Sequence, residues 1–403
     1  MSRAGQWDVS SVVPRALTAA IAAIAALALP TRVEAAFGDL LQKPVPAGCF
    51  TGFPFHPACS FVTGMAEPRG VAVSPDGASV YVVSGIGQGA VTVFDRATDG
   101  TVIRKPGTAG CITESGSGGL CSVGRALRAP SSVTVSPDGT SVYVTANMSH
   151  AVAVFDRAAD GTLTQQPLAS INLVGARWAA VSPDGASVYV VSGLHNAIYI
   201  FDRAADGTLT RKAGAAGCIA DDVLGGPPPG CGVATWLRSP LSVAVSPDGI
   251  TVYVAAFDGD AVVVFNRAID GTLSQKTGAA GCFANHAGSP ERPCTDGRAL
   301  DGPLSVVVAP DGRSILVASD ESNALVTVTR DTTGTLSLAS GPAGCVSQPA
   351  VEGCASSPDG LDGAAAVAVS PDGKSVYVGA FATFSVFDRH PATIRPLRHR
   401  PRR

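Results

Sequence analysis

Arg177 and Trp178 stand side by side just ahead of a small apolar run, and the short polar segments before and after them hold His150, His195 and Asn196. A guanidinium, an indole face, an amide and two imidazoles are groups that hold a carboxylate or a sugar-like ligand, through charge-assisted hydrogen bonds and stacking. The same set could serve acid–base chemistry, with His150 or His195 as general base and Arg177 stabilising a developing oxyanion. Against this stands a packing reading, in which Trp178 fills a gap and both histidines are merely solvated.

Other charged positions offer further chemistry. Arg69, Arg128 and Arg238 occupy related places in other repeats and, with Arg177, would form an anion site. Asp301 and Asp362 match Arg128 in position, so a structural ring of ion pairs is the competing reading. Asp258 with Asp260, or Asp320 with Glu321, supplies hard oxygen ligands for calcium, too few in either pair to make a site alone. The recurring pairs Asp95-Arg96, Asp156-Arg157, Asp202-Arg203 and Asp388-Arg389 read as turn and inter-repeat contacts, because a catalytic group is rarely needed once per repeat. No Gly-x-Ser-x-Gly, phosphate-loop or His-Glu-x-x-His pattern is present, and no cofactor is expected.

The ten cysteines fall into local pairs: Cys49 with Cys59, Cys111 with Cys121, Cys218 with Cys231, Cys282 with Cys294, and Cys345 with Cys354. An even count, short spacing and an export context favour disulfides. Zinc is the competing reading, but Cys-x-x-Cys is missing and His56 and His286 sit at unrelated places, so no metal is expected.

The export context rests on residues 1–35. Arg3 and Arg15 precede an uncharged stretch to Pro30, and Val33-Glu34-Ala35 resembles a cleavage site. The stretch is short for a transmembrane anchor, and no later segment could span a bilayer. A secreted or periplasmic location follows. The tail at 390–403 is basic and Pro-rich and reads as disordered, either holding the protein to an anionic envelope polymer or serving only as a solubilising extension. With the whole chain at −3 and positive charge concentrated in its ends, the body is acidic and a poor ligand for nucleic acid.

These side chains are carried by a unit recurring six times, V-x-V-[SA]-P-D-G-x-S-V-Y-V, then V-x-V-F-D-R, then D-G-T-L, with Pro-Asp-Gly at Pro75, Pro137, Pro183, Pro247, Pro310 and Pro371. Alternating valines with turn residues between them predict a hairpin, and a second turn adds two more strands. Each unit is therefore expected to be a four-stranded antiparallel sheet. A small sheet with two apolar faces must pack against copies of itself, which points to an all-β, six-bladed β-propeller spanning residues 36–389. An open β-solenoid is the alternative. Residues 38–43, followed by Ala47-Gly48-Cys49, match the fourth-strand segment before Cys218 and are expected to complete the last blade, closing the ring.

Ser74-Pro75-Asp76-Gly77 through Val80-Tyr81-Val82, with its echoes, resembles the YVTN-repeat and lactonase-like (6-phosphogluconolactonase-like) β-propellers. The resemblance implies the fold, with seven blades as the alternative count, and allows a lactone-opening hydrolase. Such propellers tend to place a histidine just before an inner strand; here those places hold Arg69, Ser131, Arg177, Leu241, Leu304 and Ala365. The expected function is a binding or scaffold module of the cell envelope or extracellular space, taking a small molecule, glycan or protein at its loop rim. Hydrolysis of a sugar or related lactone is the alternative.

Overall fold

The structure, a computed structural model, describes residues 50–51, 60–85, 89–222, 228–285, 288–289, 292–338, 344–349, 351, 353–357, 361–380 and 384–389. Contacts divide the chain after Leu41, and the second unit, Gln42–Arg403, holds all of these. The export segment, the basic tail, the Cys49–Cys59 pair and the strand at 38–43 lie outside the described residues. Among the described residues, no helix is long and apolar enough to cross a membrane.

Six sheets follow one another along the chain as the blades of a propeller. In the first, the inner strand Pro68–Val73 pairs antiparallel with Ser79–Ser84, which pairs with Ala90–Arg96. Ser-Pro-Asp-Gly shapes the hairpin: Gly77 takes φ 69°, its N–H donates to the Ser74 carbonyl at 2.8 Å, and Asp76 accepts the Ala78 N–H at 3.0 Å. The inner strands of successive blades lie against one another. The middle strands of the second to fifth blades are buried at every position, because both faces meet a neighbour.

The fourth strand departs from the expected meander. In the second blade it runs unbroken from Leu163 to Asn172. In the first it is split: Val102–Arg104 pairs with one end of the third strand, a 3-10 turn intervenes, and Cys111–Thr113 pairs with the other end. The third, fourth and fifth blades are split in the same way. Glycine permits the break, since a Cβ on Gly217 would lie 1.8 Å from the Lys212 carbonyl oxygen. Each split strand then pairs with an outermost parallel strand, such as Ser122–Val123. Disulfides Cys111–Cys121, Cys218–Cys231, Cys282–Cys294 and Cys345–Cys354 tie these two strands together. The cystines therefore staple the outer edges of blades.

Adjacent blades are joined by a repeated clamp on the hairpin face. Arg267 of the fourth blade reaches Asp184 of the third at 2.7 Å, donates through Nε to the Tyr189 hydroxyl at 2.7 Å, and donates to its own Gly249 carbonyl at 3.2 Å. Tyr189 in turn donates to the Gly271 carbonyl at 2.8 Å. Burial pushes the Tyr189 phenol up, which keeps it a neutral donor. Arg157, Arg203 and Arg330 repeat the pattern with Asp76, Asp138 and Asp248. Arg389 pairs with Asp311 at 2.8 Å, where Leu316 stands in place of the tyrosine. The arginines of the Asp-Arg pairs at Arg157, Arg203 and Arg389 thus bridge blades, while Asp95 and Asp202 stay local, paired with Lys105 and Lys212.

The first blade is different on the side away from the second. Val71 is 66% exposed, whereas its counterparts Val133 and Val243 are buried, and Val73 is 52% exposed, whereas Val135 and Val245 are half-buried. Phe50 covers part of that side, edge-on to Phe94 at 5.4 Å. Among the described residues, Arg96 donates only to the Gly77 carbonyl, and Asp372 bonds within its own turn, so the clamp is not repeated between them.

The clamp sets two expectations. Asp184→Ala should cost about 1–3 kcal/mol, because it strips the counter-charge from a guanidinium that is only 5% exposed, while Arg96→Ala should stay within about 0.5 kcal/mol. Calorimetric melts would separate the two. The Asp76 carboxyl is held at about 2, first by the Ser74 hydroxyl, then by the Ala78 N–H and Arg157. Its stabilisation is therefore complete above about pH 4 and is lost as pH falls towards 2, so melting temperature should drop across that window in wild type and less in Asp76→Asn.

Candidate functional site

The face opposite the clamps carries the loops between second and third strands and the beginnings of the inner strands. There the first five inner strands share one irregularity. Arg69, Ser131, Arg177, Leu241 and Leu304 are each skipped in the ladder, so each is the extra residue of a β-bulge. In the sixth blade Ala365 holds the place, its N–H donating to the Gly379 carbonyl at 2.9 Å. A bulge re-aims its side chain away from the pleat. The bulged position thus carries Arg, Ser, Arg, Leu and Leu in turn, with Ala365 at the matching place of the sixth blade.

Two features fit the arginines to this place. Each folds over a glycine of its own blade: a Cβ on Gly85 would lie 2.2 Å from Arg69 Nε, and one on Gly193 would lie 3.8 Å from Arg177 Cγ and 3.6 Å from Leu241 Cδ2. The Arg177 bulge is also pinned, since its carbonyl accepts from Ser131 Oγ at 2.7 Å and Thr145 Oγ1 at 2.9 Å. Burial, and then the positive charge of Arg69, lower the Arg177 pKa. Arg69 pairs with Glu67 at 3.6 Å, both about half exposed. Arg177 has no ion-pair partner among the described residues, and Arg238 has a buried Nε without a partner there. A half-buried guanidinium lacking a counter-charge is a place for an oxyanion.

The other expected residues are drawn into the framework. Trp178 pairs with Val191 and packs into the core between third and fourth blades. It replaces the serine that elsewhere accepts an N–H from the next blade, as Ser242 does from Val306 at 3.2 Å. His150 takes φ 52° at the end of its loop, and its Nδ1 accepts the Gly175 N–H at 3.2 Å. Asn196, Asp260 and Asn323 do the same for Ser239, Gly302 and Gly363. His150 and Asn196 are therefore members of a latch between blades. His195 is turned to the Tyr199 hydroxyl, 2.5 Å from Nδ1, with Arg211 stacked on the far ring at 4.6 Å. His150, His195 and Trp178 each have a contact of their own, and among the described residues no hydrogen bond joins any of them to the Arg177 side chain.

Among the described residues, no ion pair joins Arg128 or Arg238 to Asp301 or Asp362. Asp301 instead lies with Asp260 and Glu321, their carboxylates within 4.8 Å of one another. Glu67 was overlooked in the sequence. The available signal was its place: the counterparts are Ala129, Gly175, Ser239, Gly302 and Gly363, and only here does an acidic side chain precede a bulged arginine.

Geometry and relatives agree on the class. The family described as lactonase, 7-bladed beta-propeller, matches residues 56–221. Among solved structures, a candidate 6-phosphogluconolactonase from Bacteroides fragilis is 19% identical, with a TM-score of 0.57 over 81% of each chain. The periplasmic gluconolactonase PpgL of Pseudomonas aeruginosa is 21% identical, with a TM-score of 0.55 over 81% of this chain and 82% of its own. A functionally unknown protein from Desulfotomaculum acetoxidans is 15% identical, at 0.55 over 81% and 84%. The fold is that of a lactonase-like β-propeller, with six blades where the family description has seven. No curated protein matches the sequence.

The latch gives a direct expectation. His150→Ala leaves the Gly175 N–H without its acceptor and should cost about 1–2 kcal/mol, as should Asn196→Ala, measured by denaturant unfolding. Ligand affinity at the mouth should change less than twofold in both.

Proposed function

We propose that this is an exported propeller that binds a small carboxylate or lactone at the mouth of its channel, with Arg177 as the principal anion contact and Arg69 beside it. The observation that carries the reading is the half-buried Arg177 guanidinium, pinned on a bulge and without a counter-ion among the described residues. Four disulfides support an oxidising compartment, secreted or periplasmic. The basic tail is assigned to an anionic envelope polymer.

A second reading, lactone hydrolysis, is favoured by Glu67 beside Arg69 and by the lactonase-like fold. Glu67 takes a proton from water, the hydroxide adds to the lactone carbonyl, and Arg177 stabilises the resulting oxyanion. Collapse of the adduct breaks the ring C–O bond, and the departing alkoxide takes up a proton to give the hydroxy acid. His150 is less suited as a base, because its Nδ1 lone pair accepts the Gly175 N–H and the neutral ring then carries its proton on Nε2.

Sugar and homoserine lactones, and their hydroxy acids, should be offered to the mature protein, following proton release at constant pH and binding by calorimetry. Binding of a hydroxy acid that weakens about tenfold or more in Arg177→Gln supports the first reading. Turnover that falls about a hundredfold or more in Glu67→Gln supports the second. Wild-type protein showing neither binding nor turnover removes both.

A further inference from the structure

The junction between the second and third blades presents an unusual surface on the same face. Met148, Val174 and Leu194 are 59%, 40% and 64% exposed. They converge on Gly175: a Cβ there would lie 2.8 Å from Leu194 Cβ, and its N–H is bonded to His150, two residues after Met148 in one loop. At the matching places the chain carries Arg128, Arg238, Asp301 and Asp362, and Ala66 in the first blade, for Val174, and Asp258 and Glu321, and Ile86 and Phe381 in the first and sixth blades, for Met148 and Leu194. Scattered exposed apolar side chains need no explanation, but three at one junction do, where the junctions on either side carry Arg128, or Arg238 and Asp258. The split-strand turn and cystine that follow the first, third, fourth and fifth blades are missing from the unbroken Leu163–Asn172 strand at this junction.

We infer that the ligand of the channel mouth carries an apolar chain, which lies across Met148, Val174 and Leu194 while its carboxylate meets Arg177. This rests on the anion reading given above. The two halves adjoin, because the Arg177 stem passes Gly193, the residue next to Leu194. Charge complementarity fixes one end of the ligand, since Arg177 lacks an ion-pair partner among the described residues. The crest fixes the character of the other end. A sugar acid, polar along its length, would gain nothing from this crest. A medium-chain carboxylate, or the alkyl-substituted lactone that yields one, would gain on every methylene it covers.

The test titrates the full-length mature protein calorimetrically with butanoate, hexanoate, octanoate and gluconate, all below micellar concentrations. Affinity should rise about two- to fourfold per methylene from butanoate to octanoate. Met148→Gln with Leu194→Gln should flatten that rise and leave butanoate within twofold of wild type; Val174→Thr, as a separate variant, should do the same. Arg177→Gln should weaken every member alike. Equal wild-type affinities along the series, or a rise that survives in the variants, overturns the inference. If butanoate and gluconate then still bind in an Arg177-dependent way, the anion reading stands without the chain. If no carboxylate binds at all, the anion reading falls and takes the inference with it.

Discussion

Each blade of this protein is a sheet with two apolar faces and no means of covering either one alone. The fold depends on satisfying both faces with the next copy. Five apolar clusters lie between successive blades, filled by residues such as Tyr189, Val252 and Phe265 between the third and fourth. The arginine clamp adds direction to that packing. Apolar burial is indifferent to small rotations, whereas a guanidinium that must meet a carboxylate, a phenol and a carbonyl at once fixes the angle between neighbours. Arg157, Arg203, Arg267 and Arg330 are each 3–5% exposed on the side chain, so their hydrogen bonds are shielded from competing water.

Holding the blades from the hairpin face leaves the opposite face free to vary. There, inter-blade bonds come from single side chains at the ends of loops, and the bulged position tolerates Arg, Ser, Leu or Ala. Charge is distributed unevenly as a result. The first three blades bring Arg69 and Arg177 to the mouth, and the fourth and fifth bring Leu241 and Leu304 beneath an acidic crest that includes Asp260, Asp301 and Glu321. Glu67 supplies the carboxylate on the cationic side. An oxyanion approaching this face meets attraction on one side and repulsion on the other, which orients it before contact.

The repeat was legible because its signals are local. Pro-Asp-Gly sets a turn from consecutive residues, and alternating valines declare a strand with no knowledge of its partner, so blade number and the four disulfide pairings among the described residues could be read directly from spacing. The bulges were hidden, because a residue is skipped only relative to the strand beside it, and Pro-Arg-Gly-Val and Ala-Arg-Trp-Ala look like ordinary strand beginnings. The latch was hidden for a related reason. His150, Asn196, Asp260 and Asn323 differ in chemistry and share only a left-handed backbone and an acceptor, so their equivalence emerges once the loops are superposed by register. His150 was for that reason read as a candidate for chemistry when its position demands an acceptor. The split fourth strand escaped notice because Leu209–Arg211 and Cys218–Asp221 look like one strand and a separate loop, although both share one partner.

A chain of like units, each coupled only to its neighbours, behaves as a one-dimensional lattice whose ends are its weakest members. Among the described residues no clamp joins Arg96 to Asp372, which makes the first and last blades such ends. Fraying will therefore start at that seam and travel inward, and the second to fifth blades, where both neighbours are clamped, will melt last. The candidate mouth straddles this gradient: Arg177 sits in the durable interior of the array, and Arg69 and Glu67 sit at its margin, so the second half of the anion grip would be lost well before the fold.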